Sequence, residues 1–361
     1  MTNRNSFFYK LKNWSLLLPV VALILVMVIN VIYDMVNGNN PLSFFTITLQ
    51  QTTSNGTILY GRIIDILNRG SEAAILAIGM TLVVSSSAGT DISVGSVMSL
   101  CASFCCMLLA GYGVSSTTEL AVPLFVGILG GLLMGAVCGM FNGTLVAFFK
   151  IQPMVATLIL FSAARAIGLL LCNDLIVYVR NPSFAFFGSF LGPLPTPLVI
   201  AAVCVAVVSL VLRKTALGMY IQSVGINSKA SRIAGLNSKR IIFLTYTICG
   251  LFAGIAGIVN SSRITSADSN NIGLYLEMDA ILAVALGGNS LGGGKFNLAG
   301  SIIGAYTIQA ITTTLYALGV SAAQAPVFKA VIVIIIVAIQ STPVRNFFKK
   351  QSAARRLKEV A

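Results

Sequence analysis

The chain has 361 residues, 57% of them hydrophobic and only 9% charged, with 23 Lys and Arg against 10 Asp and Glu and no histidine. Water-soluble domains carry roughly 25% charged residues, so this sequence cannot coat a globular surface, and a soluble enzyme or soluble binding module is excluded. The missing histidine removes the usual zinc ligand sets, and with few acids inside apolar segments it leaves no general acid–base pair to build a membrane enzyme on.

Apolar runs set the predicted elements. A helix crossing the hydrocarbon needs about 20 mostly apolar residues. Ten segments meet or approach that length, at about 14–35, 65–86, 94–111, 120–148, 153–172, 196–213, 241–261, 278–288, 296–318 and 325–342. Their apolarity is continuous instead of alternating, which separates them from β-barrel strands. Arg4, Lys10 and Lys12 precede the first run like a signal peptide's basic region. The run from Trp14 to Met35 is too long for a signal core and ends without a small-x-small cleavage site, so it reads as a retained span.

The second segment opens on Asp65, Arg69 and Glu72, spaced i, i+4 and i+7 so that all three share one helix face and can pair along it. The third and eighth segments are short and flanked by glycine, the marks of broken or re-entrant helices. The fourth carries Gly127, Gly131, Gly135, Gly139 and Gly143, a groove that lets another helix approach at backbone distance; Gly250 with Gly254 and Gly300 with Gly304 repeat it. Arg165 lies inside the fifth, where an unpaired guanidinium costs several kcal/mol and therefore needs a partner, a cavity or the interface. The seven cysteines, Cys101, Cys105, Cys106, Cys138, Cys172, Cys204 and Cys249, all fall in apolar stretches without a C-x-x-C pair and read as small free hydrophobes at helix contacts.

The expected fold is all-α, a polytopic transmembrane helix bundle of eight to ten spans over residues 14–342, between an N-terminal segment 1–13 and a basic tail 343–361. With the N-terminus inside, 17 of the 23 basic residues fall on cytoplasmic segments, including Lys150, the loop at about 213–240, Lys295 and the tail, so both termini are expected in the cytoplasm. The net charge of +13 is then a topology signal. Contact with anionic lipid headgroups suits the tail, and no aromatic interleaving points to nucleic acid.

Three polar features interrupt the apolar pattern. Gly287 to Phe296 superficially resembles a phosphate loop, yet Asn289 stands where glycine is required and Phe296 where Ser or Thr must hold Mg²⁺, so ATP binding by this chain itself is not expected. Asp91 sits between two apolar segments among glycines. Two compatible roles fit it: an ionisable group beside irregular backbone at membrane depth, or a cap of the following helix. Ser228 to Leu236 reads as a short helix ended by Gly235 within a long basic loop, either a docking knob for a soluble partner or a solvated connector.

Several of these stretches together resemble the permease subunits of ATP-binding-cassette sugar importers of the ribose and galactofuranose type. Asp65–Arg69 with Leu76–Val83, Thr90–Ser96, Lys150–Leu158, Gly225–Asn237 and Gly287–Gly294 carry the likeness, in order, over nearly the whole chain after residue 60. Arg213–Met219, Ala267–Asn271 and Gly293–Leu298 are similar to the galactofuranose branch. One departure is Ser87-Ala88-Gly89 before Thr90, where the family has a compact Gly-Gly. The resemblance implies a multi-pass permease domain in a bacterial inner membrane that moves a monosaccharide and is not itself an enzyme. Its implied partners are a second permease copy, identical or related, a cytoplasmic ATP-binding subunit that holds ATP and Mg²⁺, and an external sugar-binding protein. On that basis Lys229, Ala230, Arg232, Ala234, Gly235 and Leu236 are the expected coupling residues. Asp91, Ser93, Asn142 and Arg165 are the candidates for the translocation pathway. A secondary transporter driven by an ion gradient is the competing reading; it needs buried carboxylates at mid-depth, and only Asp91 and Asp279 qualify.

Overall fold

The computed structural model describes residues 16–340 apart from positions 37, 39, 41, 53–55 and 295; the segments 1–13 and 343–361 and Lys295 lie outside the described residues. Each of the ten predicted segments holds a helix. Helix α1 spans Leu17–Val36, α2 Arg62–Ser87, α3 Val94–Ala110, α4 Leu124–Ala147 and α5 Pro153–Leu171. After the four-residue helix α6 (Pro182–Ala185) come α7 (Thr196–Lys214), α8 (Leu217–Ile226), α9 (Ser228–Ile233) and α10 (Ser238–Ile264), then α11 (Leu276–Leu286), α12 (Leu298–Ala317) and α13 (Ala325–Gln340). Among the described residues seven of these, α1, α2, α4, α5, α7, α10 and α12, are long and apolar enough to cross a membrane. The two segments expected to be broken are indeed short: α3 has 17 residues and α11 only 11. At about 1.5 Å per residue, α11 covers about half of a bilayer's hydrocarbon core.

Among the described residues, strands occur only in the connections. Thr48–Thr52 (β1) and Gly56–Tyr60 (β2) pair as an antiparallel hairpin between α1 and α2. Ser116–Thr117 (β3), Val177–Val179 (β4) and Ser266–Ala267 (β7) form a three-stranded sheet, parallel between β3 and β4 and antiparallel between β4 and β7. Phe190–Leu191 (β5) and Leu194–Pro195 (β6) make a second small hairpin, whose turn is tied to the first where Leu59 N–H donates to the Pro193 carbonyl at 3.1 Å.

The chain divides into two compact units, residues 1–310 and 311–361. In the first, α2 is the central helix, buried without interruption from Gly70 to Ser86. The glycine ladder of α4 does what its spacing predicts. A Cβ at Gly135 would run into the Gly250 carbonyl, one at Gly139 into the Tyr246 carbonyl, and one at Gly250 into the Gly135 carbonyl, so α4 and α10 touch backbone to backbone. In the second unit the end of α12 turns through Gly319, at φ +79°, before α13 begins.

The charged start of α2 departs from expectation. Arg69 pairs with Asp65 at 2.9 Å on the surface, but Glu72 turns away to Arg263 of α10 at 3.0 Å and accepts from Asn260 Nδ2 at 2.7 Å. Helical spacing alone could not reveal this, because i and i+7 also lie on the face that α10 covers, and a buried carboxylate takes the partner that shares its burial. Arg263 further donates to the Asn68 carbonyl at 3.0 Å. Arg62 closes the other end of the hairpin connection, pairing with the buried Asp34 at 3.0 Å, while Ser43 Oγ donates to Asp34 at 2.7 Å.

Candidate translocation site and coupling segment

Between α2 and α3 the chain abandons helix for six residues, and this break builds the first polar site. Ala88 ends α2 in the left-handed region at φ 55°, and Gly89 then lies against the ring of Pro153, the first residue of α5, with no room for a side chain. Asp91 is 3% exposed. Its Oδ1 accepts from Ser93 N–H at 2.9 Å and from Ser93 Oγ at 2.6 Å. Ser93 itself occupies the N-cap position of α3, so Asp91 does not cap the helix; it fixes the turn that delivers the cap residue. Asn142, from the α4 face beside the glycine ladder, donates to Ser93 Oγ at 2.8 Å and approaches Asp91 Oδ2 at 3.5 Å. Ile92 N–H donates to Thr157 of α5 at 3.2 Å. The structure therefore brings Asp91, Ser93 and Asn142 into one buried cluster. No Lys or Arg forms an ion pair with Asp91 among the described residues.

Arg165 does not join them. Its Nη1 donates to the carbonyls of Ser269 at 2.6 Å and Asn270 at 2.8 Å, in the non-helical segment between β7 and α11. Ser99 Oγ donates to the same Ser269 carbonyl at 2.9 Å, and Ser103 and Ser269 share a hydroxyl contact at 2.6 Å. Hydropathy marks Arg165 as needing a partner without indicating which; the partner is backbone that a broken helix leaves unpaired.

The glycine-rich turn after α11 is a structural junction. Asn289 donates to the Val284 carbonyl at 3.0 Å and to Ser301 Oγ at 2.8 Å, while its own Oδ1 accepts from Asn297 N–H at 2.6 Å. Asn297 in turn accepts from Gly300 N–H at 3.0 Å, capping α12. The turn reaches across to α2, where Gly294 N–H donates to the Ser85 carbonyl at 3.0 Å. Gly225, near the end of α8, presses on that same carbonyl so closely that no Cβ fits.

Three residues beyond Gly225 the predicted short helix appears as α9. Asn227 caps its start, accepting from the N–H groups of Lys229 and Ala230, each at 3.0 Å. Its end is a Schellman motif: Gly235, at φ +86°, donates to the Arg232 carbonyl at 3.0 Å, and Leu236 donates to the Ser231 carbonyl at 2.9 Å. Ser238 Oγ donates back to the Ser228 carbonyl at 3.0 Å and folds the helix onto the start of α10. Lys229, Ala230, Arg232, Ala234 and Gly235 are exposed and Leu236 half-buried, and the apolar Ile233 is 90% exposed at the tip. Arg232, Gly235, Leu236, Asn237 and Lys239 line a shallow cleft of about 360 Å³.

Residues 62–339 match the family described as branched-chain amino acid transport system / permease component. The chain belongs to this permease family. Its curated relatives include the galactofuranose transporter permease protein YtfT of Escherichia coli, 45% identical over 284 residues that cover 78% of this chain and 80% of that one. The fructose import permease protein FruF of Bifidobacterium longum is 37% identical over 362 residues, covering 99% and 96% of the two chains. The ribose import permease protein RbsC of Escherichia coli is 34% identical over 302 residues, covering 82% and 90%. With its apolar helices, the permease is a multi-pass protein of a bacterial inner membrane.

Two further residues of the permease, one apolar and one acidic, are not marked by the sequence pattern. Ile233 is an ordinary apolar position in the sequence of the short helix, and the structure leaves it 90% exposed. Glu277 is buried at 3% exposure in the first turn of α11. Its position next to a short, glycine-flanked helix was the available signal.

Proposed function

We propose that this permease is the membrane-spanning subunit of an ATP-driven importer of a monosaccharide, of galactofuranose, fructose or ribose type. It does not hydrolyse ATP; ATP and Mg²⁺ are held by a cytoplasmic ATP-binding subunit. An external binding protein delivers the sugar, and a second permease copy completes the pathway. Both termini, the loop between α7 and α10 and the basic tail then face the cytoplasm, in keeping with where the basic residues fall.

The observation that carries this reading is α9. A six-residue helix fixed at both ends by its own caps, and carrying an isoleucine 90% exposed among basic residues, is suited to enter a groove on a soluble partner. Lys229, Ala230, Arg232, Ala234, Gly235 and Leu236 form the coupling surface, with Ile233 at its centre. The broken stretch between α2 and α3 belongs to the translocation pathway. Asp91 Oδ2 has only the long contact to Asn142, and Asn142 Oδ1 has no partner at all, so acceptors remain for a passing hydroxyl.

The test is a substitution that alters α9 without touching the bundle. Ala234→Asp places a charge on the docking surface, and Gly235→Pro removes both the positive φ and the N–H of the Schellman motif. Both variants are expected to reach the membrane at normal levels and to lose ATP-driven uptake. Undiminished uptake in either would refute the coupling role.

A further inference from the structure

Three buried polar atoms without partners lie around the place where α3, α5 and α11 meet: Glu277 Oε2, Arg165 Nη2 and Ser96 Oγ. Glu277 and Ser96 are 3% and 0% exposed. Gly95 and Gly273 bring the region together. The carbonyls and carboxylate on either side stand so close that a Cβ at Gly95 would strike Glu277 Oε2 and the Gly273 carbonyl, and a Cβ at Gly273 would strike the Gly95 carbonyl. The missing side chains let the segment 268–275 meet α3 backbone to backbone at Gly273 and bring the first turns of α3 and α11 together. Such meeting ends of interrupted helices are where membrane transporters place their ligands.

Arg165 and Glu277 border the same non-helical segment, Arg165 through its bonds to the Ser269 and Asn270 carbonyls and Glu277 in the helical turn that follows, and no direct ion pair joins them among the described residues. Arg165 spends Nη1 on the Ser269 and Asn270 carbonyls and leaves Nη2 over. Glu277 leaves Oε2 over. One is a donor only and the other an acceptor only, and a hydroxyl group is both. A hydroxyl that donates to Glu277 Oε2 and accepts from Arg165 Nη2 satisfies the two charges at once, as neither an ammonium group nor a carboxylate does. Arg165 is half-exposed and its neighbours Asn270 and Asn271 are exposed, so the Arg165 side of this place borders the surface.

Building on the sugar-importer reading, we infer that Glu277 and Arg165 form a hydroxyl-bridging subsite of the translocation pathway, selective for a monosaccharide hydroxyl and separate from the Asp91–Ser93–Asn142 cluster. Glu277 is the acceptor of the sugar O–H and Arg165 the donor to the same oxygen.

The experiment uses the full importer in proteoliposomes with labelled galactose, fructose and ribose, each beside its monodeoxy analogues. Initial uptake and ATP hydrolysis are both measured for wild type, Glu277→Gln and Arg165→Lys. For the transported sugar, Glu277→Gln should slow uptake about tenfold, the loss expected for one charge-assisted hydrogen bond, with ATP hydrolysis retained. One deoxy analogue, poorly carried by wild type, should fare as well as its parent in the variant. Arg165→Lys, which keeps the charge and drops the second nitrogen, should act in the same direction and serves if Glu277→Gln fails to reach the membrane. If wild type imports a sugar and both variants import it equally well, or if discrimination between parent and deoxy sugar is unchanged, the subsite is wrong. If wild type imports none of the three, the sugar-importer reading falls and takes the subsite with it.

Discussion

The carbonyl of Ser85, near the end of α2, accepts a hydrogen bond from Gly294 at 3.0 Å, and Gly225 of α8 presses on the same oxygen too closely to carry a side chain. Three parts of the chain that are far apart in sequence meet there backbone to backbone. Two residues beyond Gly225 lies the cap of the exposed helix α9, and six beyond Ser85 lies Asp91. If α9 is the coupling helix, this backbone joint is the route by which a push on it is expected to reach the broken stretch between α2 and α3.

Gly225→Ala tests this joint. Its methyl would overlap the Ser85 carbonyl and come within 2.7 Å of the Gly294 nitrogen, so the backbones must part. The expected result is uptake reduced at least about tenfold, corresponding to roughly 1.4 kcal/mol, while ATP hydrolysis by the assembled importer continues. Parallel loss of both activities, or of neither, would count against transmission through this joint.

Asp91 and Asn142 separate function from local structure. Asp91→Asn keeps the shape and still accepts from Ser93, so the turn before α3 survives, whereas the charge is gone. Uptake should fall with little change in melting temperature. If melting temperature drops and uptake per folded molecule stays constant, Asp91 serves only to set the turn. Asn142→Leu removes the donor to Ser93 and should cost about 1–3 kcal/mol of stability in addition.

The Glu72–Arg263 pair is a stability element. Removing one partner leaves a buried charge uncompensated, so Glu72→Gln or Arg263→Met alone should destabilise by about 3–5 kcal/mol. The double variant should recover part of that loss, read as a coupling energy in thermal unfolding of the detergent-solubilised protein. Strictly additive losses would mean that the two side chains do not depend on each other.

The α4 ladder predicts a contrast between neighbouring glycines. Gly139→Ala drives a methyl into the backbone of Tyr246 and Thr247, which cannot move aside without separating α4 from α10. Gly130→Ala meets only the flexible side chains of Leu108 and Phe104. Thermal stability should fall clearly in the first and little in the second; equal effects would mean that the α4–α10 contact is not close-packed.

Much of this bundle is legible in the sequence because hydropathy and length report how a segment meets lipid. The ten helices stand where their apolar runs do, the two short ones are those flanked by glycine, and Gly235 ends α9 as its conformational freedom requires. Faces are harder. Arg165 and Ser269 are 104 residues apart and Glu72 and Asn260 188 apart, and nothing in either local pattern points to the other. A span that is apolar nearly all round carries no amphipathic stripe to say which side meets a neighbour. The β1–β2 hairpin does carry a local signal, Asn55-Gly56 between β-prone residues, but hydropathy and length, which mark the helices, do not report it.

The most direct measurement of the central claim is uptake by proteoliposomes holding the permease with its ATP-binding subunit and binding protein. The account predicts sugar accumulation that requires ATP and Mg²⁺, persists when proton and sodium gradients are collapsed, and disappears in Ala234→Asp. Uptake by the permease alone, driven by an ion gradient and indifferent to ATP, would contradict it.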